Sequence, residues 1–152
     1  MNNRRLLLKN MAALLVTYPL ATLAEKGPLV QVYKSRTCNC CSKWVDHMIE
    51  AGFTVEATNV DDVGAYKLEF GLPLKLQSCH TAMVEGYIVE GHVPADDVIR
   101  LLREKPELKG IAVPGMPIGS PGMEGPNPDT YQVIAFDKER NLSVWAVHGP
   151  NA

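Results

Sequence analysis

The chain has 152 residues, of which 46% are hydrophobic, and a formal net charge of −2. This length fits one domain, since no segment repeats and no flexible linker separates two apolar blocks. The slightly acidic charge argues against a nucleic-acid partner, because proteins that bind nucleic acids carry concentrated positive charge.

The first residues have the pattern of an export signal. A basic segment precedes a mostly apolar run from Met11 to Leu23, and small residues follow it just before Glu25. We therefore predict a cleaved signal peptide at 1–24 and a single mature domain at 25–152. Two adjacent arginines in the basic segment leave a twin-arginine signal and an ordinary secretory signal both open. The apolar run is shorter than the roughly 20 residues of a membrane span, so no span is expected after cleavage.

Strand-like and helix-like segments alternate along the mature chain. Strands are indicated by short apolar or alternating runs, and helices by apolar residues at helical spacing. Asp61 and Asp62 can cap a helix, and Pro94 can open another. In chain order we predict a strand at 29–33, a helix at 42–51, a strand at 53–60, a helix from 61 to about 70, a strand, turn and strand over 81–93, and a helix from 94 to about 105.

This order of elements, with a Cys-x-x-Cys motif just before the first helix, is that of a thioredoxin or glutaredoxin core. We therefore predict an α/β fold with a thioredoxin-like core. In such folds a cis-proline precedes the third strand and faces the thiols at the helix start. Here Cys79 and His80 occupy that region and no proline does. A thiol and an imidazole therefore replace the residue that helps to bind peptide substrates.

The chain beyond Pro106 extends this core. The segment 113–129 contains five prolines and four glycines, a composition that indicates rigid turns, and loops of this length are usually functional or disordered. Met116 and Met123 supply two of its large apolar side chains. A terminal β-hairpin is predicted from strands at 131–136 and 142–147.

Three of the four cysteines crowd into four residues, at Cys38, Cys40 and Cys41. Disulfides within so short a run close tiny loops that restrict the unfolded chain little, so a chemical role is favoured over a structural one. Cys38 and Cys41 have the spacing of a thiol redox pair, and the third thiol turns that pair into a cluster of soft donors.

The donor set favours monovalent copper. Thiolates, thioethers and imidazoles prefer this ion to hard cations, and the paired Cys-x-x-Cys knuckles of structural zinc sites are absent. Neighbouring cysteines do not readily chelate one ion, so the motif suits sulfurs that bridge several metals. We predict Cu(I) ligands at Cys38, Cys40, Cys41 and Cys79, with supplementary donors at His80, Met116 and Met123, and zinc stays the alternative metal. His47, His92 and His148 are expected to have surface or packing roles, with His148 kept open because it ends the last strand.

Three ordered motifs resemble the CopG-type periplasmic copper-resistance proteins of Gram-negative bacteria. They are 32–41, 78–82 and 113–124, and the similarity extends over about 29–148. The resemblance implies a thioredoxin-like fold, a periplasmic location and a cluster of copper ions held by the cysteines. It also implies a role in copper tolerance, with interconversion of the two copper oxidation states as an activity that would make the chain a copper oxidoreductase.

Two other function classes stay open at this point. A thiol-disulfide oxidoreductase would use Cys38 as nucleophile and Cys41 as resolving thiol. That function leaves Cys40, Cys79 and the two methionines of the 113–129 segment unexplained. A purely structural exported domain would need none of the cysteines. Under the copper hypothesis, the expected partners are copper ions and copper-export or other periplasmic copper-handling proteins.

Overall fold

The computed structural model describes residues 26–152, and the predicted signal peptide at 1–24 lies outside them. No helix in this described part is long and apolar enough to cross a bilayer. The elements are β1 (Leu29–Lys34), α1 (Asn39–Glu50), β2 (Thr54–Asn59), α2 (Val63–Glu69), a 3-10 turn (Leu74–Leu76), β3 (Thr81–Val84), β4 (Tyr87–Glu90), α3 (Ala95–Glu104), β5 (Gly110–Ala112), β6 (Tyr131–Phe136) and β7 (Leu142–His148).

All seven strands form one sheet with the order β2-β1-β3-β4-β5-β6-β7. The β1–β2 and β4–β5 pairs are parallel and the other four pairs are antiparallel. Helices connect both parallel pairs, as such crossovers require. The mixed α/β class predicted from the sequence is confirmed.

The core lies between the sheet and the helices. Val30 and Val32 alternate toward it from β1, and Trp44 and Met48 reach it from the same face of α1 because they are four residues apart. The Trp44 indole also donates a hydrogen bond of 2.8 Å to the carbonyl of Val93. This bond connects α1 to the segment that follows β4. The helix and the segment both contribute residues to the site described below.

Two details of the fold differ from the sequence prediction. Helix α1 begins at Asn39, three residues before the predicted Ser42, because Cys38 takes the N-cap position with extended backbone angles (φ −77°, ψ 96°). Strand β5 was missed, since three residues are too few to show a periodic pattern. Its Gly110 lies so close to the carbonyl of Ile88 that no Cβ would fit. Through β5, the terminal hairpin joins the core in a single sheet.

Candidate metal centre

The cysteine motif occupies the start of α1. Cys38 is the N-cap residue, and Cys40 and Cys41 lie in the first turn. Cys41 is fully buried, whereas Cys38 and Cys40 are partly exposed. Cys38 and Cys41 form a disulfide, and the Cys40 Sγ lies 3.6 Å from the Cys38 Sγ. The structure therefore shows the motif with one pair oxidised and the third thiol free.

The sheet topology brings the fourth cysteine to this motif. Strand β1 leads into the motif at its carboxyl end, and Cys79 comes just before the amino end of β3. The two strands are antiparallel neighbours, with Tyr33 opposite Thr81, so these ends meet at the same edge of the sheet. As a result the sulfur atoms of all four cysteines lie within 4.8 Å of one another.

Two buried imidazoles contact the Cys79 sulfur. His80 packs with its ring centroid 4.5 Å from that of Trp44, and its Nδ1 lies 3.4 Å from the Cys79 Sγ. The His92 Nε2 lies 3.0 Å from the same sulfur, and its Nδ1 is 2.7 Å from the carbonyl oxygen of Pro121. Cys79, His80 and His92 thus form a second group that could hold a metal ion, and it shares Cys79 with the first.

His92 is a candidate ligand that the sequence prediction missed. Its side chain is fully buried, which excludes the surface half of the predicted surface or packing role, and its ring contacts a thiol as well as packing in the interior. The pairing of β3 with β4 contains a signal for this contact. Thr81 pairs with Glu90, and a backbone hydrogen bond one step further continues this pairing. Extending the register by two residues places Cys79 opposite His92.

The other two histidines have partners away from the sulfur atoms. The His47 Nε2 accepts a hydrogen bond of 3.0 Å from the backbone N–H of Ala95, at the start of α3. The His148 Nε2 lies 2.6 Å from an Asp97 carboxylate oxygen. Both contacts agree with the packing role predicted for these residues.

The loop between β5 and β6 packs directly on the cysteine motif. Gly122 has a positive φ of +88°, and a Cβ there would lie 2.7 Å from the Cys40 carbonyl oxygen and 3.3 Å from the His92 Nδ1. Only glycine combines this backbone conformation with so close an approach. At the other end of the loop, the Ser78 hydroxyl donates a hydrogen bond to the Gly115 carbonyl.

The structure treats the two loop methionines differently. Met123 lines a surface cavity of about 350 Å³ together with Cys40, Lys43 and Glu124. Met116 is 52% exposed and does not line this cavity. Of the two predicted thioether donors, Met123 is therefore the one that the fold brings beside the motif.

Burial controls the protonation of the site. It raises the pKa of the Cys79 thiol to about 12, and the nearby Cys40 side chain adds to the effect. Burial lowers the pKa of His92, and lowers that of His80 further, so both rings are neutral near pH 7. A neutral imidazole keeps a lone pair for a metal, whereas Cys79 must lose its proton to bind one, so metal affinity should increase with pH.

The buried histidines predict that acid destabilises the metal-free protein. In the unfolded chain His80 titrates near 6.5, and burial holds its folded-state pKa well below that value. Between these two pKa values the unfolded state binds the extra proton. The contribution of His80 to the free energy of unfolding is therefore fully present above about pH 6.5. It falls as the pH decreases from there, by up to about 1.4 kcal/mol per pH unit for one such group. Urea denaturation at pH 7.5 and 5.5 measures this, and equal midpoints would contradict it.

A buried ion pair anchors the segment before Cys79. The Lys67 Nζ and the Glu90 Oε1 are 2.5 Å apart, and the side chains are 5% and 0% exposed. The same Glu90 oxygen accepts a 2.5 Å hydrogen bond from the Ser78 backbone N–H. Burial raises the pKa of Glu90, while the Lys67 ammonium opposes this. The pair holds Ser78, and with it Cys79, against strand β4.

Comparisons with known proteins give related results for sequence and structure. Residues 76–123 match a family described as "Protein of unknown function, DUF411". A solved structure entitled "Copper resistance protein copG- Form 2" is 42% identical, with a TM-score of 0.77, and the match covers 81% of this chain and 99% of the other. The structure entitled "Form 1" of the same protein is also 42% identical, with a TM-score of 0.76 and coverages of 80% and 98%. No curated protein matches the chain.

Proposed function

The chain belongs to the family of copper resistance proteins named CopG, and from this membership we propose that its cysteine cluster binds several Cu(I) ions. The observation that carries the proposal is the convergence of four sulfur atoms from two distant segments to within 4.8 Å of one another. The proposed ligands are the thiolates of Cys38, Cys40, Cys41 and Cys79, with supplementary donors at His80, His92, Met123 and Met116.

The donor chemistry supports Cu(I) as the cargo. Thiolate and thioether sulfurs are soft ligands, and neutral imidazoles suit copper as well. Cys40 and Cys41 are adjacent, so sulfurs that each bridge two ions use them better than a single chelated ion does. All four thiolates are free to bind only after the Cys38–Cys41 disulfide has been reduced. The protein therefore binds its full copper load in the reduced state.

The disulfide also gives the site a redox activity. Oxidation of the Cys38 and Cys41 thiols to a disulfide releases two electrons and two protons, and two Cu(II) ions can accept those electrons to become Cu(I). In this role the protein converts one copper oxidation state into the other. Copper held in the cluster can then be buffered or passed to a copper-export protein or another copper-handling partner.

We place this activity in the periplasm. The support is the export-signal pattern of 1–24, and the mature single domain is 25–152. We also propose that the core is thioredoxin-like, with the 113–129 loop and the terminal hairpin as additions. The support is that β1, α1, β2, α2, β3, β4 and α3 follow the thioredoxin order, with the thiols at the start of α1.

A second candidate function rests on the disulfide itself. Cys38 is partly exposed and Cys41 is fully buried, the asymmetry of a thiol-disulfide oxidoreductase in which the accessible sulfur is attacked first. In that function, Cys38 is the nucleophile and Cys41 the resolving thiol. It uses neither Cys79 nor the histidines that contact it, so the copper proposal accounts for more of the site.

Anaerobic titration of the reduced mature protein with Cu(I) against a competing chelator tests the copper proposal. We expect more than one ion bound per chain, with the four thiols protected from alkylation once copper is bound. Weak binding of a single ion, with the thiols still open to alkylation, would overturn the cluster. Turnover of a disulfide substrate at Cys38 and Cys41 would then favour the oxidoreductase.

The two loop methionines provide a matched pair of variants. Met123→Leu should weaken Cu(I) binding several-fold, because Met123 lines the cavity beside Cys40 and leucine keeps its volume without the sulfur. Met116→Leu should have a smaller effect, because Met116 is 52% exposed and lies outside that cavity. The same chelator competition measures both affinities. Equal losses in the two variants would show that cavity position does not determine the donor.

A further inference from the structure

The disulfide leaves two thiols without an assigned redox role. The chain has four cysteines. Cys38 and Cys41 are bonded to each other, and Cys40 and Cys79 are free. Both free thiols are partly exposed, so small oxidants and metal ions can reach them. Within one chain they can pair only with each other unless the existing disulfide opens.

The geometry favours direct pairing of these two thiols. Cys40 projects from the first turn of α1, and Cys79 lies on the segment before β3. Their sulfurs are at most 4.8 Å apart, so they must approach by less than about 3 Å to reach the 2.0 Å of a disulfide bond. Side-chain rotation at both residues can supply a movement of this size, since neither sulfur is in a disulfide, and Cys79 would exchange its contact with His92 for the new bond.

One contact holds the backbone at or beside each of the two thiols. Gly122 packs against the Cys40 carbonyl, and the buried carboxylate of Glu90 binds the N–H of Ser78 beside Cys79. Each segment is therefore held against a neighbouring part of the fold without any bound metal. A disulfide across them would join α1 to the amino end of β3 where the two already meet.

From this geometry, and on the premise of the proposed copper function, we propose that Cys40 and Cys79 form a second redox couple of the site. In the step, the two S–H bonds break, one S–S bond forms, and two protons leave to solvent. The two electrons pass to two Cu(II) ions, which become Cu(I). With the Cys38–Cys41 pair, the fully reduced chain then delivers four electrons, since each pair of thiols releases two as it forms a disulfide.

Disulfide exchange is the competing outcome. The Cys40 sulfur is 3.6 Å from the Cys38 sulfur and could attack it, which would free Cys41. Cys79 would then pair with Cys41 and not with Cys40. The fully buried position of Cys41 disfavours this arrangement. Trypsin releases the three motif cysteines together on peptide 37–43 and Cys79 on peptide 76–100, so the mass of a linked pair shows that Cys79 is bonded to the motif. Fragmentation of the linked pair then identifies the motif cysteine, and a link at Cys41 instead of Cys40 would show exchange and overturn the second couple.

The experiment oxidises the reduced, metal-free protein with diamide, alkylates the remaining thiols, and analyses tryptic peptides by mass spectrometry. Wild type should give a disulfide-linked pair of peptides 37–43 and 76–100 and no alkylated cysteine. Cys40→Ser should give no linked pair, an intact Cys38–Cys41 disulfide and one alkylated thiol at Cys79. Asn39→Ser, a change at the exposed neighbouring residue, should behave like wild type.

Two other results would overturn the second couple. One is a wild-type protein that keeps two alkylatable thiols after exhaustive oxidation. The other is a linked pair that survives in Cys40→Ser, which would assign Cys79 to a different partner. A separate copper assay should give four Cu(I) per reduced wild-type chain and two for Cys40→Ser. If the link forms but no Cu(II) is reduced, the second couple stands and the copper redox function is the part that fails.

Discussion

Replacing Cys79 with serine should abolish cluster formation and leave a chain that binds at most one Cu(I) weakly. Serine offers a hard hydroxyl where Cu(I) prefers sulfur. Cys79 is also the residue shared by the two groups of candidate ligands. Loss of a partner outside the ligand shell already costs a metal site 10 to 100-fold in affinity, so loss of this ligand should cost at least about 100-fold.

Chelator competition with Cu(I) measures the loss, and Gln77→Ser, two residues earlier in the same segment, is the matched control. The Cys38–Cys41 disulfide should still form in Cys79→Ser, since the sequence and spacing of that motif are unchanged. A variant that retains several tightly bound ions would contradict the four-thiol cluster. It would indicate that Cys38, Cys40 and Cys41 bind copper without a ligand from the segment before β3.

Replacing Lys67 with methionine should lower the free energy of unfolding by about 3–5 kcal/mol, the usual cost of removing one partner of a buried ion pair. The Glu90 side chain is 0% exposed, and Lys67 is its charged partner at 2.5 Å. Without Lys67 the carboxylate must either stay charged in the protein interior or take up a proton. The double variant Lys67→Met with Glu90→Gln should recover much of the loss, because it removes the buried charge and keeps an acceptor for Ser78.

Urea denaturation of the metal-free protein at pH 7 measures these differences. The surface pair of Lys105 and Glu85 is the control, since its atoms are 3.5 Å apart but its side chains are 68% and 46% exposed. Lys105→Met should change stability little, because exposed ion pairs contribute little. If Lys67→Met costs no more than Lys105→Met, the buried pair does not anchor the Cys79 segment as proposed.

The sequence predicted the helices and strands better than it predicted which side chains surround the cysteines. Periodicity located all three helices and six of the seven strands, because long amphipathic runs leave a clear pattern. The cysteine motif was also visible as a motif. His92 was not, because the predicted segment 81–93 gave a strand, a turn and a strand without fixing the turn residues. A shift of one residue in register moves a side chain to the opposite face, so the pairing of Cys79 with His92 needed the structure.

Burial of charge was the other property that the sequence did not reveal. Lys67 lies on a helix with exposed neighbours, and Glu90 reads as the polar end of a strand. Neither pattern indicates that the two meet beneath the Cys79 segment. The loop methionines pose the same difficulty, because Met116 and Met123 occupy similar Pro-Gly-rich contexts. Only the fold of the loop places one of them beside Cys40 and leaves the other largely exposed.

If the site holds copper as proposed, its assembly from two segments far apart in the chain links copper retention to the folded state of the protein. An unfolded copy presents the three thiols of the motif, but Cys79 and His92 no longer stand beside them. Metal that binds only the native arrangement adds its binding energy to the stability of the fold. By the same linkage, a copper-loaded copy damaged by heat or proteolysis would release its ions as it unfolds.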